Sequence, residues 1–294
     1  MDKQQIATAG LTIVAAQFSI NVGAALGKSL FPVVGPEGVA ALRTAIAALI
    51  LLLMARPWRQ ALSWPRAAWI GLYGLAIGGM NLQIYWAFER IPIGLAIAIE
   101  IAGPLAVVLL TSRSTRDFLW AALAIGSLML LVPWPGADAP LDPVGIAFAA
   151  GAALCWALYI VFGKRASQAG AATAVALGMT VASLITLPVG VAAAGSKIVL
   201  PPVLALGLVV ALLSSAIPYM LEMKAMEKLS GRLFGVITSS AHALAALAAF
   251  LVLGERLLPM QWLAVVLMIS ASAGCSLTSR KPPPSSAGEA PLAV

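Results

Sequence analysis

"AFERIPIGLAIAIEIAGPLA", Ala87 to Ala106, lies over "AMEKLSGRLFGVITSSAHAL", Ala225 to Leu244, at an offset of 138 residues. A second match runs in the same order at nearly the same spacing. Gly27–Lys28, after "AAL", answers Gly163–Lys164, after "IVF". Two such matches mark an internal duplication. Each copy carries five apolar stretches, so the second copy has to begin from the opposite side of whatever layer the first one crosses.

That layer is a lipid bilayer. Of 294 residues, 61% are hydrophobic and 10% charged, with a mean hydropathy of +0.99; soluble domains carry roughly 25% charged residues. Stretches of about 20 apolar residues, each long enough to cross a ~30 Å hydrocarbon core as a helix, recur along the chain. Ten spans are expected, near 8–29, 37–55, 67–88, 94–111, 118–134, 143–163, 170–193, 203–222, 233–253 and 259–278. The runs lack the period-two alternation of a membrane β-barrel. Short connections such as "RPWRQALSWPRA" and "PGADAPLDP" separate them. The fold class is an all-α polytopic membrane protein of ten transmembrane helices in two inverted five-helix repeats. The first repeat covers 1–134 and the second 143–278, followed by a disordered cytoplasmic tail, 279–294, rich in Pro and Ser.

The net charge of +7 raises the question of a nucleic-acid partner, and the distribution of charge answers it. With the N-terminus in the cytoplasm, 13 of the 18 basic residues fall in cytoplasmic connections, and only Arg90, Lys197 and Arg256 in outer ones. This bias follows the positive-inside rule and predicts both termini in the cytoplasm. No nucleic acid is needed to explain the basicity. Cys155 and Cys275 fall within spans and read as small buried hydrophobes.

Polar side chains inside spans are costly and commonly face a bundle interior or a wet cavity. Gln17 and Asn21 share one face of span 1, and Asn81 and Tyr85 one face of span 3. The repeat sets Tyr219 over Asn81, and Trp156, Tyr159, Ser239 and His242 add to the set. They read either as a substrate-binding cavity or as interhelical hydrogen-bonding glue. Arg43 and Glu100 each lie about six residues inside the same surface. A structural ion pair between them is the first expectation, and a coupling or ammonium-binding role for Glu100 the second. Lys28 reads as snorkelling to the outer surface or as a carboxylate ligand. Gly103 and Pro104, with Pro188 and Pro218, are expected hinges that bend spans 4, 7 and 8 against the cavity. His242, the only histidine, occupies the slot equivalent to Pro104. Cavity lining, plain packing and a proton relay are its alternatives.

Enzyme chemistry lacks its parts. One histidine excludes a His-Glu-x-x-His zinc site, and there is no Gly-x-Ser-x-Gly and no phosphate-binding Gly-x-x-x-x-Gly-Lys-Ser/Thr loop. Neither metal nor cofactor is expected. Inverted repeats with a midplane site are a recurring transporter design.

The stretches "GAALGKSLFPVVG", "GGMNLQIYWAFERIPIGLAIAIEIAGPLAV", "GAALCWALYI", "SSAIPYMLEM" and "FGVITSSAHALAALAAFLVLGE" resemble the drug/metabolite transporter superfamily of EamA type. More narrowly they are similar to its bacterial amino-acid exporters, of threonine/homoserine type and of YddG-like aromatic or broad-range type. The resemblance implies a central cavity and multi-pass residence in a bacterial inner membrane. It implies export of threonine, methionine and other neutral or aromatic amino acids by alternating access, with a monomer sufficient. Export of other small metabolites or drugs is the alternative it leaves. Relatives often carry Glu-Pro where this chain has Ala241–His242, a departure that leaves the role of His242 open.

Overall fold

A computed structural model describes residues 3–91, 93–111, 115–131 and 142–229, with isolated positions between 234 and 271. The described residues are helical: α1 (Lys3–Lys28), α2 (Phe31–Ala55), α3 (Trp64–Arg90), α4 (Ile93–Glu100), α5 (Ala102–Thr111), α6 (Thr115–Leu131), α7 (Pro143–Ala166), α8 (Ala171–Ala194), α9 (Pro201–Ala211) and α10 (Ile217–Lys228). Phe31–Arg59, Pro143–Ala169, Ala171–Val199 and Pro201–Lys228 are long and apolar enough to cross a membrane. At 1.5 Å per residue, the 26 residues of α1 reach about 39 Å. Spans 9 and 10 lie mostly, and the tail wholly, outside the described residues.

Proline writes most of the punctuation. Pro143 opens α7 at a position where its missing N–H costs nothing, and the Asp142 carboxylate caps that helix by accepting the Val144 N–H at 2.8 Å. α2 bends at its start, where Gly35 takes φ 70° before Pro36. The expected span 4 is two helices, broken at Ile101. Pro104 has no N–H to give Glu100, its i−4 carbonyl, so regular winding fails there. A π-turn, Leu212–Ala216, separates α9 from α10 just before Pro218. Pro188, by contrast, sits inside the continuous α8.

Contacts between helix ends divide the molecule in two. At one end Arg90, closing α3, pairs with Asp142 at the start of α7 at 3.1 Å. At the other, Lys164 near the end of α7 donates to the Met226 carbonyl of α10 at 2.6 Å, and Glu227 accepts the Ala171 N–H that begins α8. α2 packs along α8, α3 against α7 and α8, α1 against α10 and α9, and α4 and α5 against α7. Small residues permit close crossings. A Cβ on Gly74 of α3 would collide with the Gly178 carbonyl of α8. Such approaches suit membrane helices, which associate by close packing rather than by hydrophobic exclusion. The largest buried cluster, with Ile13, Leu51, Ile70, Tyr73, Tyr159, Met179, Met223, Met226 and Phe234, fills the Lys164 end.

Candidate functional site

Toward the Arg90 end that cluster gives way to a cavity, beside a second buried cluster that includes Ile84, Tyr85, Ala87, Ile91, Ala149 and Ala152. A cavity of about 860 Å³, open solvent included, is lined by residues from α1, α2, α3, α4, α7 and α10. On α1, Gln17 and Asn21 come after Ile13. On α3, Asn81, Tyr85 and Phe88 come after Tyr73, and on α7, Trp156 precedes Tyr159. Each step leads from the sealed end toward the other.

The structure brings together Gln17, Asn21, Arg43, Asn81, Tyr85, Glu100, Trp156, Tyr159 and Tyr219 around this one space. Gly103 packs against Ala153 of α7, beside the break in span 4. Ser239 and His242 lie outside the described residues. Their described neighbour Thr238 is fully buried, and its hydroxyl has no hydrogen-bond partner.

Glu222 forms the floor. Its carboxylate accepts from the Gln17 Nε2 at 2.6 Å and from the Tyr159 hydroxyl, and it is 3% exposed. Tyr159 is held in place by stacking on Tyr73, centroids 5.1 Å apart, with Tyr219 edge-on at 5.8 Å. Asn81 donates to the Ile77 carbonyl at 2.8 Å and to the Tyr219 hydroxyl at 3.5 Å. These last two residues are the repeat-equivalent pair.

Arg43 is on the wall and also buried, at 7% exposure. The ion pair expected with Glu100 is not made; among the described residues ion pairing is confined to Arg90 and Asp142. Arg43 donates instead to Ser215 Oγ at 3.0 Å, Tyr85 Oη at 3.0 Å and the Ser214 carbonyl at 2.8 Å. The reason lies four residues on. Pro218 cannot give Ser214 the N–H its carbonyl would meet in a helix, and the guanidinium takes that place. Ser19 Oγ meets the neighbouring Leu213 carbonyl in the same way, at 2.6 Å.

Glu222, Ser214 and Ser215 are the parts that sequence reasoning did not assign to the site. Ending span 8 at 222 set Glu222 at a membrane boundary. The helix continues to Lys228, so Glu222 lies six residues deeper. A carboxylate three residues after a buried tyrosine, on one helical face, was the available signal.

Among curated proteins the chain is similar to the threonine/homoserine exporter RhtA of Escherichia coli (strain K12). Identity is 44% over 269 residues, covering 92% of this chain and 91% of that one. The protein of the same name from Salmonella typhimurium (strain LT2) is 43% identical over 273 residues, covering 93% and 92%. Residues 143–277 match the model of the EamA-like transporter family. A solved crystal structure shares the fold at TM-score 0.75 and 18% identity, over 94% of this chain and 98% of its own.

Proposed function

The chain belongs to the EamA-like transporter family of the drug/metabolite transporter superfamily and is an amino-acid exporter; from that premise we propose that it moves threonine, homoserine and other neutral amino acids outward through a bacterial inner membrane by alternating access. The cavity beside Glu222 carries this reading. It reaches mid-depth among amide, hydroxyl and charged groups, and the Tyr73–Tyr159–Met226 packing closes it beneath Glu222. A channel needs continuity through both ends, whereas a carrier is closed at one end at a time. On the positive-inside assignment the Lys164 end is the cytoplasmic one, and its packing supports reading it as the closed end.

The two-repeat architecture is part of the proposal, and paired contacts support it. The α3–α7 contact has its counterpart in α1–α10, and α3–α8 in α2–α9. Asn81 and Tyr219, 138 residues apart, touch each other, as residues related by a two-fold axis do only near that axis. Exchanging the conformations of two such repeats would open the sealed end and close the open one. The substrate class comes from the relatives' names, and the breadth beyond threonine and homoserine from room for larger side chains.

Counterflow tests both. Purified protein in liposomes loaded with unlabelled threonine should take up labelled threonine saturably, and homoserine, methionine and phenylalanine should compete. Inhibition by a quaternary amine alone, or linear uptake without saturation, would refute the reading.

A further inference from the structure

The cavity contains a buried cation and a buried anion that do not meet. Glu222 is bonded to two neutral donors, the Gln17 amide and the Tyr159 phenol. Arg43 is bonded to three neutral acceptors on Ser215, Tyr85 and Ser214. A guanidinium has five N–H groups, so two remain for a further acceptor. No ion pair joins either residue to another among those described. Arg43 feels the charge of Glu100 across the cavity without making an ion pair with it; buried charges left without an ion pair are costly, and inside a membrane they are retained where function needs them.

Resting on the amino-acid export reading, we infer that Glu222, oriented by Gln17 and Tyr159, receives the α-ammonium of the substrate, and that Arg43, oriented by Ser214, Ser215 and Tyr85, receives its α-carboxylate. A zwitterion then completes both ion pairs at once. A plain cation satisfies only Glu222, and a plain anion only Arg43. The carboxylate meets the planar fork of N–H donors that suits two oxygens. Each charged side chain is already fixed by its own hydrogen bonds, so little ordering is left for binding to accomplish. Glu100 of α4 also lines the cavity, but among the described residues nothing donates to its carboxylate. The ammonium site is therefore assigned to Glu222. The charged or titratable groups facing Glu222 are Tyr73 of α3, Tyr159 of α7 and Tyr219 of its own helix, with Tyr85 of α3, Arg43 of α2 and Glu100 of α4 around the same cavity.

The test uses the full chain in detergent and competition against labelled threonine. The probes are threonine, 3-hydroxybutyrate, which lacks the ammonium, and threoninamide, which lacks the carboxylate. Wild type should prefer threonine to either analogue by at least about tenfold, the scale of one charged hydrogen bond. Glu222→Gln should weaken threonine by a similar factor and leave 3-hydroxybutyrate unchanged. Arg43→Gln should weaken threonine and leave threoninamide unchanged. Glu222→Asp and Arg43→Lys keep the charges and should keep part of the preference, which guards against variants that fail to fold.

Equal loss of threonine and 3-hydroxybutyrate in Glu222→Gln, or loss of the preference in Glu222→Asp, would show that the carboxylate serves structure and overturn the assignment. Selective loss in Glu100→Gln, with Glu222→Gln unaffected, would move the ammonium site. A wild type that binds threonine no better than 3-hydroxybutyrate sinks the inference while export stands. A wild type that binds no amino acid sinks the export reading itself.

Discussion

Gly163 and Gly27 open the two Gly-Lys pairs of the duplicated sequence, yet their surroundings differ. A Cβ on Gly163 would meet Met226 Sδ at 2.7 Å and Tyr73 Cε2 at 3.2 Å. On Gly27 it would meet only Val39 at 3.2 Å and Val210 at 3.5 Å. Met226 is 1% exposed and plugs the Lys164 end, whereas Phe88, its equivalent at an offset of 138, lines the cavity. Matching positions in sequence thus have unequal packing in space. Under alternating access, Phe88 would take against Gly27 the place that Met226 holds against Gly163.

Truncating the two plugs tests that contrast most strongly. Met226→Ala empties a fully packed site and should cost about 3 kcal/mol, whereas Phe88→Ala, whose side chain is only partly buried between the cavity and the Ile84 cluster, should cost less, about 2 kcal/mol. Thermal unfolding of the purified proteins in one detergent compares them directly. Equal losses would mean that the two ends are equally packed. The next effect is at the sealed end alone. A Cβ at Gly178 would lie 2.5 Å from the Tyr73 ring, which is stacked on Tyr159 and has nowhere to turn. Gly178→Val should therefore destabilise by about 2 kcal/mol. Gly71→Val, on α3 with open space around it, should change stability by less than about 0.5 kcal/mol. Similar values for the two would remove the evidence for a tight α3–α8 crossing.

Membrane residence was legible because hydropathy reports the solvent of each segment directly. The lining residues Gln17, Asn21, Asn81 and Tyr85 were legible as a group, since a polar residue in an apolar run has few places to go. Partner choice was not. Arg43 takes the Ser214 carbonyl because Pro218, on another helix 175 residues away, leaves it free; no spacing along the chain encodes that encounter. Glu222 was misplaced for a simpler reason. Charged Lys224, Glu227 and Lys228 ended the apolar run early, although helix geometry continues through them. The two ends also look alike in sequence, and only packing tells them apart.

The smallest effect belongs to the Arg90 end, where Arg90 and Asp142 tie α3 to α7 at the edge of the buried Ile84, Ile91 and Ala149 cluster. Both side chains are substantially exposed, so the pair is screened by water and salt. Asp142→Asn should leave the unfolding temperature nearly unchanged at neutral pH and alter counterflow by less than about threefold. Hydrogen bonding to the Val144 N–H, then the contact with Arg90, lowers the Asp142 pKa below its ordinary value. A carboxylate whose folded pKa is depressed stabilises above its unfolded pKa and loses that contribution as pH falls through the folded value. The tie is thus complete at neutral pH and is lost only on acidification below the ordinary carboxylate range. Wild type and Asp142→Asn should then converge in stability in acid. If Asp142→Asn instead abolished counterflow at neutral pH, the exposed pair would be a gate rather than a tether, and the closed state at this end would need ionic contacts that the Lys164 end does not use.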